Sequence, residues 1–214
     1  MIGIFGGTFD PVHYGHIKPA LSVKQALNLS QIRFIPNSVP PHRDAPWLST
    51  EQRLSLLQSA LGEYADVVVD QRELGRDGPS YMIDTLQSLN SDYQDERFCL
   101  VIGMDAFFGI TQWRQWKQLF ELCHLVVTTR PGFDQALILE QIGAENYPFI
   151  AEKMTQDFET LKQEKAGKIL LQSVPLLDIS STEIRTKLLN GEDVSELMPD
   201  EAHKKLRGFI DDDR

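Results

Sequence analysis

The sequence predicts an α/β fold, a mostly parallel sheet with helices on both faces. Three observations carry that expectation. Short strand-like runs alternate with helical stretches along the chain. The runs are continuously apolar, as in strands buried on both faces, rather than alternating. The turn between the first strand and the first helix holds two glycines, at the sheet edge where open α/β sheets bind ligands. About six such strands are too few for the eight repeats of a closed barrel.

Residues 2–5 form the first apolar run, and residues 17–29 read as an amphipathic helix. Residues 32–36 read as the second strand. Pro36, Pro40, Pro41 and Pro46 exclude a regular helix from the stretch that follows, so residues 37–47 are a long loop beyond a strand. Ser49 and Gln52 have capping-box spacing, which starts a helix running to about Leu61. Residues 65–69 are a β-branched third strand, followed by a polar loop over 71–79. Ser80 can cap a helix to about Leu89 with Ile83 and Leu86 facing inward.

Residues 97–102 are the fourth strand, ending in a second glycine-and-carboxylate turn, Gly103-Met104-Asp105. Trp113 and Trp116 precede a helix through Leu122. Residues 124–129 are the fifth strand, closed by Arg130-Pro131-Gly132. Residues 133–167 read as a helix around 135–142 and then a charged, helix-compatible insertion. Residues 168–172 are a sixth extended run. A helix opens at about residue 181 and ends near Asn190-Gly191, and a last one spans roughly 200–208 before an acidic tail. The expectation is one domain over residues 1–214, with a helical part from about residue 181.

Composition limits the function classes. Hydrophobic residues make up 42% and charged residues 24%, as in an ordinary water-soluble globular chain. The net charge of −10 argues against a broad nucleic-acid surface, which would be basic, but not against nucleotides. Cys99 and Cys123 lie in apolar runs and read as buried thiols of a reducing compartment. No leader pattern opens the chain and no apolar run reaches membrane-spanning length, so a cytoplasmic protein without a membrane partner is expected.

Two strings carry chemistry. In Gly6-Gly7-Thr8-Phe9-Asp10-Pro11-Val12-His13-Tyr14-Gly15-His16 the glycines let the backbone approach an anion. The helix end adds free N–H groups and a partial positive charge. His13 and His16, one helical turn apart, can point at the same place. They could also ligate a metal, but a zinc site wants a third ligand and neither cysteine is near. The second string is Ile179-Ser180-Ser181-Thr182-Glu183-Ile184-Arg185. Its hydroxyls and Arg185 suit phosphate oxygens, although Ser181 or Thr182 could simply cap the helix.

The strings G-G-T-F-D-P-x-H-x-G-H and I-S-S-T-x-I-R resemble the signatures of nucleotidyltransferases with an H-x-G-H motif. Further matching stretches are Pro40-Pro41-His42-Arg43, Pro79-Ser80-Tyr81, Gly103 and Asp105 followed by Trp113, and Arg130-Pro131-Gly132. With them, nearly the whole chain resembles the bacterial nicotinate-nucleotide adenylyltransferases, least clearly over 133–167. The resemblance implies a Rossmann-like sheet and adenylyl transfer from ATP to nicotinic acid mononucleotide, with Mg²⁺ held mainly through the ATP phosphates. It implies that Gly6, Gly7, Thr8, His13 and His16 hold the triphosphate, His13 and His16 being the catalytic pair. It sets Gly103 and Asp105 against the adenosine, and Ser180, Ser181, Thr182 and Arg185 against phosphate. Asn37, Arg43, Ser80, Tyr81, Thr85, Trp113 and Arg130 fall on the mononucleotide side. Where relatives commonly place a threonine after Ser-Tyr, this chain has Met82. Alternatives within the superfamily are transfer to nicotinamide mononucleotide or phosphopantetheine, or cytidylyl transfer. Outside it, a non-catalytic nucleotide-binding regulator is the alternative.

Overall fold

In a computed structural model, residues 1–38, 45–76, 78–175 and 177–212 are described. The first half of the chain winds β1 (Ile2–Gly7), α1 (Tyr14–Ala26), β2 (Gln31–Pro36), α2 (Thr50–Leu61), β3 (Val67–Val69) and α3 (Met82–Asp92). The second half starts with β4 (Phe98–Gly103), α4 (Met104–Phe108), α5 (Trp116–Leu122) and β5 (His124–Thr129). It continues with α6 (Ala136–Ile142), α7 (Tyr147–Lys153), β6 (Met154–Thr155), α8 (Phe158–Gln163) and β7 (Ile169–Ser173), and closes with α9 (Ser181–Leu189) and α10 (Asp200–Asp212).

The seven strands form one sheet in the order β3-β2-β1-β4-β5-β7-β6. Every pair is parallel, including Ile4↔Arg33 between β1 and β2 and Ile2↔Phe98 between β1 and β4. The chain winds outward from β1 through β2 to β3, then returns to lay β4 on the other side of β1. The order therefore reverses between β1 and β4, and the crevice beyond their carboxyl ends is the ligand position of an open α/β sheet. This is the Rossmann-like α/β arrangement that the alternating pattern predicts.

The strands are apolar throughout because both faces are covered. One face packs Phe34, Cys99, Val101, Val126 and Leu170 against Ile17, Ala20 and Val23 of α1, Leu56 and Leu57 of α2, and Ile184 and Leu188 of α9. The other packs Ile2, Ile4, Leu100, Ile102, Leu125 and Val127 against Ile83 and Leu86 of α3, Phe107 of α4 and Leu119 of α5. Each fully buried aliphatic or aromatic side chain contributes about 1.5–3 kcal/mol relative to exposure, so these two layers dominate the fold's stability. Among the described residues, no helix is long and apolar enough to cross a membrane.

Two expectations are corrected here. The seventh strand, β6, lies inside the 133–167 stretch, where Met154 pairs with Ile169 at the sheet edge. A two-residue strand leaves no periodic signal. The first helix starts at Tyr14 rather than Ile17, so His16 belongs to its opening turn and His13 is its N-cap. The apolar pattern misses that turn because a histidine and a glycine open it.

Candidate active site

The β1–α1 turn is anchored from beneath. Phe9 takes a left-handed φ of 51°, unusual for an aromatic residue, and its ring is nonetheless buried. It packs 5.2 Å from the His16 ring, edge to face, and 5.8 Å from Phe34. A Cβ on Gly7 would stand 2.9 Å from that ring, so glycine is what lets Phe9 fold back under the turn.

His13 and His16 stand together, with ring centroids 3.8 Å apart and planes inclined by 33°. His13 is 3% exposed, and its Nδ1 has no hydrogen-bond partner among the described residues. Burial pushes its imidazole down to about 4, so it is neutral at pH 7. An unfolded chain returns it to the ordinary value of 6.5. Between pH 6.5 and about 4 the unfolded state therefore binds more protons than the native one. The resulting stability is fully present above that window and is lost progressively as pH falls through it, by roughly 3 kcal/mol in all. Urea titrations across this range should show a shallower loss in His13→Gln than in the wild type. Parallel slopes would mean that His13 is not buried neutral.

The second string touches the first. Ser180 caps α9 by accepting the Glu183 N–H at 3.1 Å, one residue earlier than the cap that the sequence suggests. That leaves Ser181 Oγ to donate to the Pro11 carbonyl at 3.0 Å. Arg185 Nη1 donates to the Asp10 carbonyl at 2.6 Å, and Nη2 donates to Thr182 Oγ1 at 3.1 Å. The Asp10 carboxylate accepts the N–H groups of Trp47 at 2.7 Å and Leu48 at 2.9 Å, with Arg185 3.6 Å away. Asp10 thus ties together the β1–α1 turn, the end of the proline-rich loop and α9.

Beyond β2, Asn37 Nδ2 donates to Thr8 Oγ1 at 3.1 Å, which brings Asn37 beside the turn. Arg43 lies outside the described residues. Arg53, which the sequence reading does not single out, is 1% exposed and donates to the carbonyls of Thr8 and Asn37 at 2.8 and 2.9 Å. The signal was available. Arg53, Leu56, Leu57, Ala60 and Leu61 share one helical face, so an arginine sits on the apolar stripe.

At the opposite wall α3 starts at Met82, with Tyr81 as N-cap and no side-chain cap. The expected cap, Ser80, instead accepts the Ser38 N–H at 3.1 Å. The Met82 methyl leans over the end of β1, where a Cβ on Gly6 would meet it at 2.9 Å. Arg114 lies over the Tyr81 ring at 4.8 Å, and Trp113 is half-buried against the second core. Thr85 stands behind this wall rather than on it. It is fully buried, and its hydroxyl donates to Glu73 Oε1 at 2.6 Å and accepts from Arg76 at 2.9 Å. Gly103 and Asp105, at the end of β4, are exposed, and a Cβ on Gly103 would meet nothing within 4 Å. Arg130 is exposed just past the end of β5. Among the described residues, no group of three or more His, Cys, Asp or Glu side chains could hold a metal ion.

Comparison with known proteins places this geometry in context. The sequence model described as cytidylyltransferase-like matches residues 4–187. A Halorhodospira halophila protein named "Probable nicotinate-nucleotide adenylyltransferase" is 43% identical over 205 residues, spanning 96% of this chain and 92% of the relative. A Methylococcus capsulatus protein of the same name is 42% identical, over 94% of this chain and 93% of the relative. Among solved structures, Plasmodium falciparum nicotinic acid mononucleotide adenylyltransferase complexed with NaAD superposes with a TM-score of 0.70 at 16% identity, covering 97% of this chain and 95% of that one. At that identity the likeness speaks for the fold alone.

Proposed function

The chain belongs to the cytidylyltransferase-like family, and we propose that it transfers the adenylyl group of ATP to nicotinic acid mononucleotide, giving deamido-NAD and pyrophosphate. One observation carries the reading from the structure: the paired histidines at the start of α1 lie at the topological switch point, in contact through their turn with the serine-rich start of α9. Full-length relatives at about 40% identity bear the same activity in their names.

In this reading a phosphate oxygen of the mononucleotide attacks the α-phosphorus of ATP. A new P–O bond forms on one side while the bond to the β-phosphate oxygen breaks on the other, and the electron pair leaves with pyrophosphate. The nucleophile is already an anion at neutral pH, so no general base is required. The protein supplies alignment and charge neutralisation. His13 and His16 donate to phosphate oxygens, with the N–H groups of the Gly6-Gly7-Thr8 turn and the start of α1 beside them. Ser180, Thr182 and Arg185 serve the same anion from α9, while Ser181, whose hydroxyl donates to the Pro11 carbonyl, offers its backbone N–H. Gly103 and Asp105 take the adenosine. Asn37, Arg43, Ser80, Tyr81, Trp113 and Arg130 line the mononucleotide side, with Thr85 supporting them through Glu73 and Arg76. Mg²⁺ would arrive on the triphosphate, because the described carboxylates form no cage for it and Asp10 already accepts two backbone N–H groups.

The wall at α3 favours an acid over an amide on the pyridine ring. A carboxylate only accepts hydrogen bonds, and no side chain caps the α3 N-terminus, whose dipole prefers an anion. An amide would turn its NH₂ toward donors, leaving polar groups unpaired at about 1–3 kcal/mol. The expected kcat/KM ratio for the acid over the amide mononucleotide is therefore about 5- to 150-fold. Pyrophosphate release with each acceptor measures it, and a ratio near one or below would overturn the choice of substrate.

A further inference from the structure

Arg53 is the largest side chain among the fully buried ones of the described residues. Its five hydrogen-bond acceptors among the described residues are all neutral. Nη1 donates to Thr8 O at 2.8 Å, Asn37 O at 2.9 Å and Asn37 Oδ1 at 3.5 Å. Nη2 donates to Ser38 O at 3.2 Å and Thr50 Oγ1 at 3.1 Å, while buried Nε has no partner among the described residues. A buried cation without a bonded carboxylate is costly, and a fold solved for stability alone would replace it with an apolar group. What it holds explains its place. Thr8 lies in the triphosphate turn. Asn37 and Ser38 leave β2 toward the mononucleotide side, and Ser38 in turn bonds Ser80 at the wall before α3. The planar fork of one guanidinium therefore spans the backbone of both half-sites.

We propose that Arg53 is a positioning residue for adenylyl transfer: by holding the Thr8, Asn37 and Ser38 carbonyls on one guanidinium, it sets the distance and angle between the donor triphosphate and the acceptor phosphate. It touches neither substrate. The inference rests on the adenylyl-transfer reading above. It separates two effects that a merely structural arginine would not separate. Each substrate bound alone meets only one half-site, so its affinity is retained. In-line attack needs both half-sites in register, so turnover is not.

Arg53→Lys keeps the charge but replaces the fork by a point donor. Its expected kcat is lower by about 30- to 100-fold, the scale of a sub-ångström to 1 Å misplacement. Binding of a non-hydrolysable ATP analogue alone, and of the mononucleotide alone, should stay within about threefold of wild type. Thr50→Val removes one hydroxyl from the same fork without disturbing the helix, and its kcat should fall by about 3- to 10-fold, which keeps the test open if the lysine variant does not fold. Wild-type kcat per folded molecule in either variant, or a loss confined to the affinity of one substrate, overturns the inference while leaving the adenylyl-transfer reading in place. A wild-type protein that releases no pyrophosphate with either mononucleotide overturns both.

Discussion

Replacing His16 by alanine should lower kcat by about 10²-fold or more while the protein stays folded. His16 lies in the first turn of α1, where the helix dipole favours an anion, and its ring sits 3.8 Å from that of His13. Among its contacts with the fold is an edge contact with the Phe9 ring at 5.2 Å, worth about 0.5–1.5 kcal/mol. That is a small part of the roughly 5–15 kcal/mol that holds a typical domain together. The contact it is proposed to make strengthens as charge shifts onto the leaving pyrophosphate, so the loss should fall on kcat rather than on the KM for ATP. Steady-state kinetics with a parallel thermal melt tests this. A variant with near wild-type kcat would remove His16 from the catalytic pair.

His13 is a less clean target, because its side chain is buried at the N-cap position of α1. A change there mixes chemistry with the packing of the turn. The difference between two histidines three positions apart is invisible in the sequence. In the structure Val12 and His13 are buried, while His16 stands edge-on to the Phe9 ring and is only partly buried.

Other features divide along the same line. What is local in the chain was legible. The Ser49–Gln52 capping box forms as its spacing suggests, and β5 spans the apolar run that predicts it. What depends on distant partners was not. Ser180 rather than Ser181 or Thr182 caps α9 because Ser181 is drawn to the Pro11 carbonyl, 170 positions away in sequence. Ser80 does not cap α3 because its hydroxyl is taken by the Ser38 N–H across the β2 exit. Thr85 reads as a contact residue from its neighbours in the string, yet its side chain turns inward to Glu73. Arg53 is a charged residue at an apolar-stripe position. Its type says solvent, while its place on the α2 stripe says core, and the carbonyls of two loops make the second reading possible. The contacts that orient these side chains come from residues far apart in the chain, which no local string encodes.

Gly15→Ala should cost about 10²-fold in turnover and lower stability as well, although helix propensity argues the other way. Gly15 is the second residue of α1, and alanine in a helix is ordinarily favoured over glycine by up to about 1 kcal/mol. Here the added Cβ would stand 2.8 Å from His13 Nδ1, 2.9 Å from His13 Cε1 and 2.9 Å from the Ile179 carbonyl oxygen. Two different neighbours would have to move. His13 has little room, since it is buried against the His16 ring. The Ile179 oxygen is backbone, in the segment that leads into α9 and its Ser181 and Arg185 contacts with the turn. Overpacking of this kind costs about 1–3 kcal/mol, more than the propensity gain, so the net sign is destabilising. The relief available to the chain is to part α9 from the turn or to rotate the His13 ring, and both disturb the proposed phosphate-binding groups. A melt and a kcat measurement on the same preparation decide between the two forces. A variant that melts higher than wild type with unchanged turnover would show that the space between His13 and Ile179 yields freely, and that the glycine between the two histidines serves neither the packing nor the reaction.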